Sequence, residues 1–259
     1  MRPSMRFLAR SALMAGLFVT LGAFAGHAQS ISDAQRGDIE KIIREYLIAH
    51  PEVLQEAMAE LEKKTAADEA AKNQAAVKDN AETIFNSSRQ VVAGNPQGDV
   101  TFVEFFDYNC GYCKRAMDDM FALMKNDPKL KIVLKEFPVL GPGSVEAARV
   151  AVAVRMQDKT GKKYMDFHQK LLGGRGQADK ARAMAAAKEA GFDVARIEKD
   201  MGSDEVRQTL EESLKLAEKL GLNGTPSYVI GSNVVIGAVG LDKLKENINT
   251  ARCGKTTAC

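Results

Sequence analysis

The chain has 259 residues with 45% hydrophobic and 27% charged side chains, which is ordinary globular composition and room for one large domain or two small ones. A formal charge of +2 gives no bulk electrostatic case for nucleic acid or for an acidic membrane surface. Four cysteines are too few to build a scaffold of this size from disulfides, so the fold must rest on an apolar core.

Arg2, Arg6 and Arg10 precede an apolar run from Ser11 to Ala25, followed by small residues around Ala28. That is the pattern of a secretory signal peptide over residues 1–28, with cleavage near Ala28. The run is shorter than the roughly 20 residues of a membrane span. Cleavage would bring the charge to about −1 and place the remaining cysteines in the periplasm, where disulfides persist.

Residues 29–90 read as a helical extension. Ser32-Asp33-Ala34-Gln35 is a capping-box sequence, and Ile39, Ile42, Ile43, Tyr46 and Leu47 recur at helical spacing. Pro51 interrupts that helix and suits the start of the next, in which Val53, Leu54, Ala57, Met58 and Leu61 continue the stripe. One helix from Pro51 to Ser87 would be about 55 Å long. Its narrow stripe predicts self-association through residues 32–90; a solvated linker helix is the alternative.

The breakers Gly94-Asn95-Pro96-Gln97-Gly98 mark the entry to a second region, residues 91–259. There the pattern predicts a strand over Val100–Phe106, a helix over Cys110–Lys125 and a strand over Leu130–Val139. A helical block follows over about 144–201, then a helix over Ser203–Leu220. Short strands at Tyr228–Ile230 and Val234–Ile236 flank the tight turn Gly231-Ser232-Asn233, and a helix over Leu241–Thr250 closes the region. The order is that of an α/β sheet with helices inserted in its middle.

Cys110-Gly111-Tyr112-Cys113 sits between a strand and a helix start. Free backbone N–H groups and the positive end of the helix favour a thiolate at the first position, and the second cysteine lies one turn away. Cys110 is therefore expected as the exposed nucleophile and Cys113 as the buried resolving thiol. Half a zinc site is the rival, but no second C-x-x-C or histidine pair supplies the remaining ligands, so no metal is assigned. The redox-active Cys110–Cys113 pair would then work without a cofactor.

Glu104 lies in the strand before the pair, either facing outward or buried beneath the cysteines, where it could accept the proton of Cys113. Thr225-Pro226 opens the hairpin, and a cis bond there would leave the Thr225 backbone free to pair with an extended peptide. Cys253 and Cys259, at the C-terminus, are expected to form a small structural disulfide. Met117, Met120 and Met124 share one face of the helix after Cys110 and read as core or peptide contacts. His168 reads as structural or exposed.

The segments Phe102–Cys113, Lys135-Glu136-Phe137-Pro138 and Gly224–Tyr228 together resemble the DsbA-like disulfide oxidoreductases, from about Val91 to Thr250. The resemblance implies a thioredoxin-like fold with an inserted helical subdomain, a cis Pro226 beside the cysteine pair, and a buried-acid role for Glu104. The extension together with Cys-Gly-Tyr-Cys is similar to the suppressor-of-copper-sensitivity C proteins, some of them trimers and some disulfide isomerases. That implies a homo-oligomer with a trimer favoured, misfolded or unfolded exported proteins as clients, and a membrane redox partner that resets the pair. Gly111, Tyr112, Thr225 and Pro226 would line the client site. Tyr112 replaces the histidine of the strong oxidases, which implies a less depressed Cys110 pKa and an isomerase or reductase rather than an oxidase. A copper-handling protein or a holdase is the reading from a different class.

Overall fold

A computed structural model describes residues 32–158 and 160–259; the expected signal peptide lies outside the described residues. Contacts divide the chain into two units, residues 1–59 and residues 60–259. The division falls upstream of the expected break at residue 90, because Val77 and Ile84 are already buried in the second unit's core.

In the first unit α1 spans Asp33–Ala49. Its capping box is closed in both directions: Gln35 N donates to Ser32 Oγ at 3.3 Å and Ser32 N donates to Gln35 Oε1 at 3.0 Å. None of its residues is buried, and Ile42 and Ile43 are 64% and 52% exposed.

Helix α2 runs Glu52–Asp79 and α3 runs Ala81–Phe85, so the single helix expected up to Ser87 is broken at Asn80. The physical reason is local: Asn80 Nδ2 donates to the Ala76 carbonyl at 2.8 Å, a side-chain bond that competes with the helical ladder. Two lysines of the central sheet then cap the end of α3. Lys135 Nζ donates to the Thr83 carbonyl and Lys131 Nζ to the Phe85 carbonyl, each at 2.8 Å.

Five strands form the sheet of the second unit: β1 (Val91–Gly94), β2 (Val100–Phe106), β3 (Leu130–Glu136), β4 (Ser227–Ile230) and β5 (Asn233–Ile236). Their spatial order is β1-β3-β2-β4-β5, with β2 and β3 parallel and the other pairs antiparallel. The edge strand β1 is an addition to the expected set; its four residues end in the Gly94 turn, too few for a periodic signal. The β4–β5 turn needs Gly231, whose φ is +60° and whose Cβ position would lie 2.8 Å from the Ala251 Cβ.

Strand β2 is buried on both faces, and its period of two assigns each side chain to one of them. Phe102 and Phe106 join Ile132 and Leu134 of β3 in one core. Helices α4 (Gly111–Asn126), α5 (Pro142–Arg155), α6 (Lys162–Gly173), α7 (Lys180–Glu189) and α10 (Leu241–Cys253) pack into that core. Val103, Phe105 and Val133 face the opposite core with Leu216, Ala217 and Leu220, which belong to α9 (Asp204–Lys219) or directly follow it. The block expected over 144–201 is thus α5, α6, α7 and α8 (Val194–Asp200). By the same alternation Glu104 lies on the Phe102–Phe106 face, beneath α4.

Candidate active site

Strand β2 ends at Phe106, and a short loop delivers Cys110 to the N-cap position of α4. Cys113 N lies 3.4 Å from Cys110 Sγ, so the sulfur occupies the place of a capping oxygen. The free N–H groups and positive end of α4 meet the sulfur there. The Cys110 thiol is pulled down to about 5, first by hydrogen bonding from Cys113, with burial opposing and Thr225 and the N–H groups of Cys113 and Tyr112 assisting. Cys113 is pushed far up, first by burial and then by its hydrogen bond with Cys110 and the charge of Glu104. Both are free thiols, 6% and 0% exposed, so Cys110 is less open than its expected role as an exposed nucleophile suggests. Tyr112 is 59% exposed, and the Arg115 guanidinium carbon sits 4.4 Å from its ring centroid. A Cβ on Gly111 would meet nothing within 4 Å, so packing does not require glycine there.

The Thr225–Pro226 bond is cis, and the Thr225 carbonyl accepts from Cys110 Sγ at 3.1 Å. Pro226 leads directly into β4, which pairs with β2 and so brings Thr225 to the cysteines. Glu104, opposite Tyr228 in that pairing, is 2% exposed. Burial, then the charges of Cys110 and Asp119, raise its carboxyl to about 8. A carboxyl poised near neutral pH beside a buried thiol can exchange a proton with it.

Two polar groupings around the pair had little signal in the sequence. Asp107 is 1% exposed and accepts from Asn109 N and Ser144 Oγ on one oxygen, at 2.8 and 2.7 Å. Its other oxygen accepts from Val139 N and Leu140 N at 2.8 and 2.9 Å. Asn109 in turn pairs with both the N–H and the carbonyl of Ala178. One carboxylate therefore ties the cysteine loop to the segment after β3 and to the start of α5, leaving Val139 and Leu140 43% and 50% exposed. An acid two residues before Asn109 is the only sequence trace of this, since its other partners lie more than 30 residues away.

The second grouping is Tyr108, Glu136, Tyr164 and His168. The Tyr108 hydroxyl lies 3.0 Å from that of Tyr164 and 3.3 Å from His168 Nδ1, and Tyr164 donates to Glu136 at 2.9 Å. His168 is 2% exposed, and burial pushes it down to about 3, so it is neutral and internal.

Cys253 and Cys259 are bonded, with Cα atoms 6.4 Å apart. Met117 and Met120 are buried in the larger core and Met124 packs against it, so all three are packing residues. Among the described residues no group of three or more His, Cys, Asp or Glu side chains could hold a metal ion. A cleft of about 640 Å³ lined by Val92, Gly94, Met124, Lys131 and Met165 includes neither cysteine. No helix of the described residues is long and apolar enough to cross a membrane.

Residues 101–249 match the DSBA-like thioredoxin domain family, and residues 35–68 match the Copper resistance protein ScsC N-terminal domain. A thioredoxin-like oxidoreductase from Silicibacter pomeroyi DSS-3 is 43% identical, covering 67% of this chain and 98% of that one at a TM-score of 0.63. Proteus mirabilis ScsC in a transitional conformation is 28% identical, covering 86% and 97% at a TM-score of 0.62. Disulfide bond formation protein D of Bacillus subtilis is 27% identical over 181 residues, 64% of this chain and 78% of that protein. The match to Na(+)/H(+) antiporter NhaA 1 of Salinispora arenicola, 23% identical over 168 residues, spans only 25% of that protein.

Proposed function

Because the chain belongs to the DSBA-like thioredoxin family, we propose that it rearranges or reduces wrong disulfides in exported proteins, with Cys110 as nucleophile and Cys113 as resolving thiol. The observation that carries this reading is Cys110 Sγ at the head of α4, 3.4 Å from Cys113 N and 3.1 Å from the Thr225 carbonyl.

The Cys110 thiolate attacks one sulfur of a client disulfide; that S–S bond breaks, the client's other sulfur leaves as a thiolate, and a mixed disulfide forms. The mixed disulfide has two fates. A second client thiolate attacks the client sulfur and frees Cys110 with a new client disulfide, which is isomerisation. Alternatively Cys113 gives its proton to Glu104, attacks Cys110 Sγ and releases the reduced client, leaving the Cys110–Cys113 disulfide. A membrane redox partner then restores the dithiol. Thr225, Pro226, Gly111 and Tyr112 form the rim where an extended client strand lies.

Isomerase or reductase is favoured over oxidase. A Cys110 pKa of about 5 lies between the values of about 3.5 and 7 for the strong oxidase and thioredoxin, so the reduced form is stabilised only in part. The exposed apolar stripe Ile39, Ile42, Ile43 and Tyr46 is the second support. Its cover by further copies of the chain, as a trimer, would set several Cys110 thiolates around one client. The match to the ScsC N-terminal domain supports that assembly, and a periplasmic thioredoxin-like protein of Salmonella enterica among the similar structures supports the location.

The test is reactivation of scrambled, fully oxidised ribonuclease, with Cys110→Ser as control. Cys110-dependent reactivation is expected. Rapid oxidation of reduced ribonuclease without reactivation of the scrambled form would establish an oxidase instead.

A further inference from the structure

Four cations gather at the Cys110 end of α4 without an ion pair. Lys114 Nζ donates to the Gly174 carbonyl at 2.7 Å, and Arg182 Nη1 donates to that of Gly176 at 3.0 Å. Arg115 lies over the Tyr112 ring, and Arg175 is exposed. Among the described residues none of these four is paired with a carboxylate, whereas Arg89, Arg155, Arg196, Arg207 and Arg252 of the same unit all are. Asp179 meets Arg182 only through the backbone N–H, at 2.9 Å, and the acids of α4, Asp118 and Asp119, lie one turn further from Cys110. The formal charge of the whole chain is only +2, so the excess is local.

The Gly173-Gly174-Arg175-Gly176 segment between α6 and α7 is built to place these charges. A Cβ at Gly174 would overlap the Arg182 guanidinium, and Gly176 has a φ of +81°, so glycine is needed at both. The loop is pinned at each end to residues that flank the nucleophile. Lys114 holds Gly174, and Asn109 holds the N–H and the carbonyl of Ala178 at 2.7 and 2.9 Å. Arg175 is thereby carried to the edge of the exchange site. The cations are not needed to make Cys110 acidic: the influences that lower its pKa are hydrogen bonds involving Cys113, Thr225 and the Tyr112 N–H. Their charge is left for a partner.

We propose that Lys114, Arg115, Arg175 and Arg182 form a docking rim for acidic peptide, so that Cys110 acts preferentially on client disulfides flanked by Asp or Glu. This deepens the exchange reading above, on which it rests, by naming the class of client. A carboxylate beside the client cysteine meets unpaired ammonium and guanidinium groups as the sulfurs approach, whereas a basic segment meets like charge. The rim acts on the encounter, before any S–S bond breaks, and is part of recognition rather than of the chemistry.

The test uses two disulfide-linked peptide dimers, identical except for two aspartates or two lysines beside the cysteine. Thiol release by reduced full-length protein is followed at pH 7, with Cys110→Ser as control, and each rate is divided by that with uncharged mercaptoethanol. The aspartate dimer is expected to react about tenfold faster at low salt, and the ratio should fall to about two in 0.5 M salt. Arg175→Glu alone should cut the ratio about threefold, and Lys114→Glu with Arg175→Glu should reverse the preference. Attack on uncharged bis(2-hydroxyethyl) disulfide should stay at the wild-type rate in both variants. Equal Cys110-dependent rates with the two dimers, or an unchanged ratio in the double variant, would overturn the rim and leave the exchange reading standing. If the double variant fails to fold, an undiminished ratio in Arg175→Glu overturns it instead. Absence of Cys110-dependent release from either dimer would overturn both.

Discussion

Cys110 and Cys113 are the same residue type three positions apart, yet the site drives their acidities in opposite directions. The first caps α4 and the second is sealed beneath it. Alkylation of the reduced protein at Cys110 should therefore show a midpoint near pH 5 rather than near the ordinary thiol value of about 8.5. Because that pKa is lowered by folding, the reduced protein gains stability as pH rises from about 5 toward the unfolded value and loses it as pH falls back through 5. Glu104 has the opposite sign. Its folded pKa is raised to about 8, so its contribution is complete below the unfolded value near 4.3 and is lost as pH rises through 8. Glu104→Gln should then be more stable than wild type at pH 9, by roughly 5 kcal/mol at most, while resolving mixed disulfides more slowly. Asp107→Ala strands four donors on three segments and should cost about 3 kcal/mol or more in denaturant unfolding.

At the level of elements, what could be read from the sequence depended on whether the signal was local. Strand β2, helices α4 and α9 and the hairpin of β4 and β5 carry their own periodicity, caps and turn residues, and they lie within a residue or two of the expected bounds. Strand β1 has no such signal: its pairing partner Leu134 is 43 positions beyond Val91. The break at Asn80 also escaped, because an asparagine inside a charged helix is unremarkable until its side chain takes the Ala76 carbonyl. The same rule divides the site. Cys110, Cys113 and Thr225-Pro226 announce themselves by spacing, and Glu104 needed the family resemblance to settle its face. Asp107 is informative only through partners brought in by the fold. The C-terminal disulfide closes a short exposed loop after α10, so Cys253→Ala with Cys259→Ala should cost at most about 2 kcal/mol and leave ribonuclease reactivation intact.

At the scale of the whole molecule the two units differ in what they carry. The cysteine pair, Glu104 and the cis Thr225–Pro226 bond all lie within residues 60–259, while α1 buries none of its own side chains. Replacing Ile39, Ile42, Ile43 and Tyr46 together by serine should give a monomeric mass where the parent chain gives a multiple of it. Cys110 alkylation should be unchanged and ribonuclease reactivation should fall. A parent chain already monomeric at micromolar concentration would remove the role given to that stripe. The most direct test of the exchange site itself is to trap it. Full-length Cys113→Ala, incubated with scrambled ribonuclease and quenched in acid, should accumulate a mixed disulfide between Cys110 and the client that reductant releases. No adduct, or an adduct carried by Cys253 or Cys259, would contradict the assignment of Cys110 as the nucleophile.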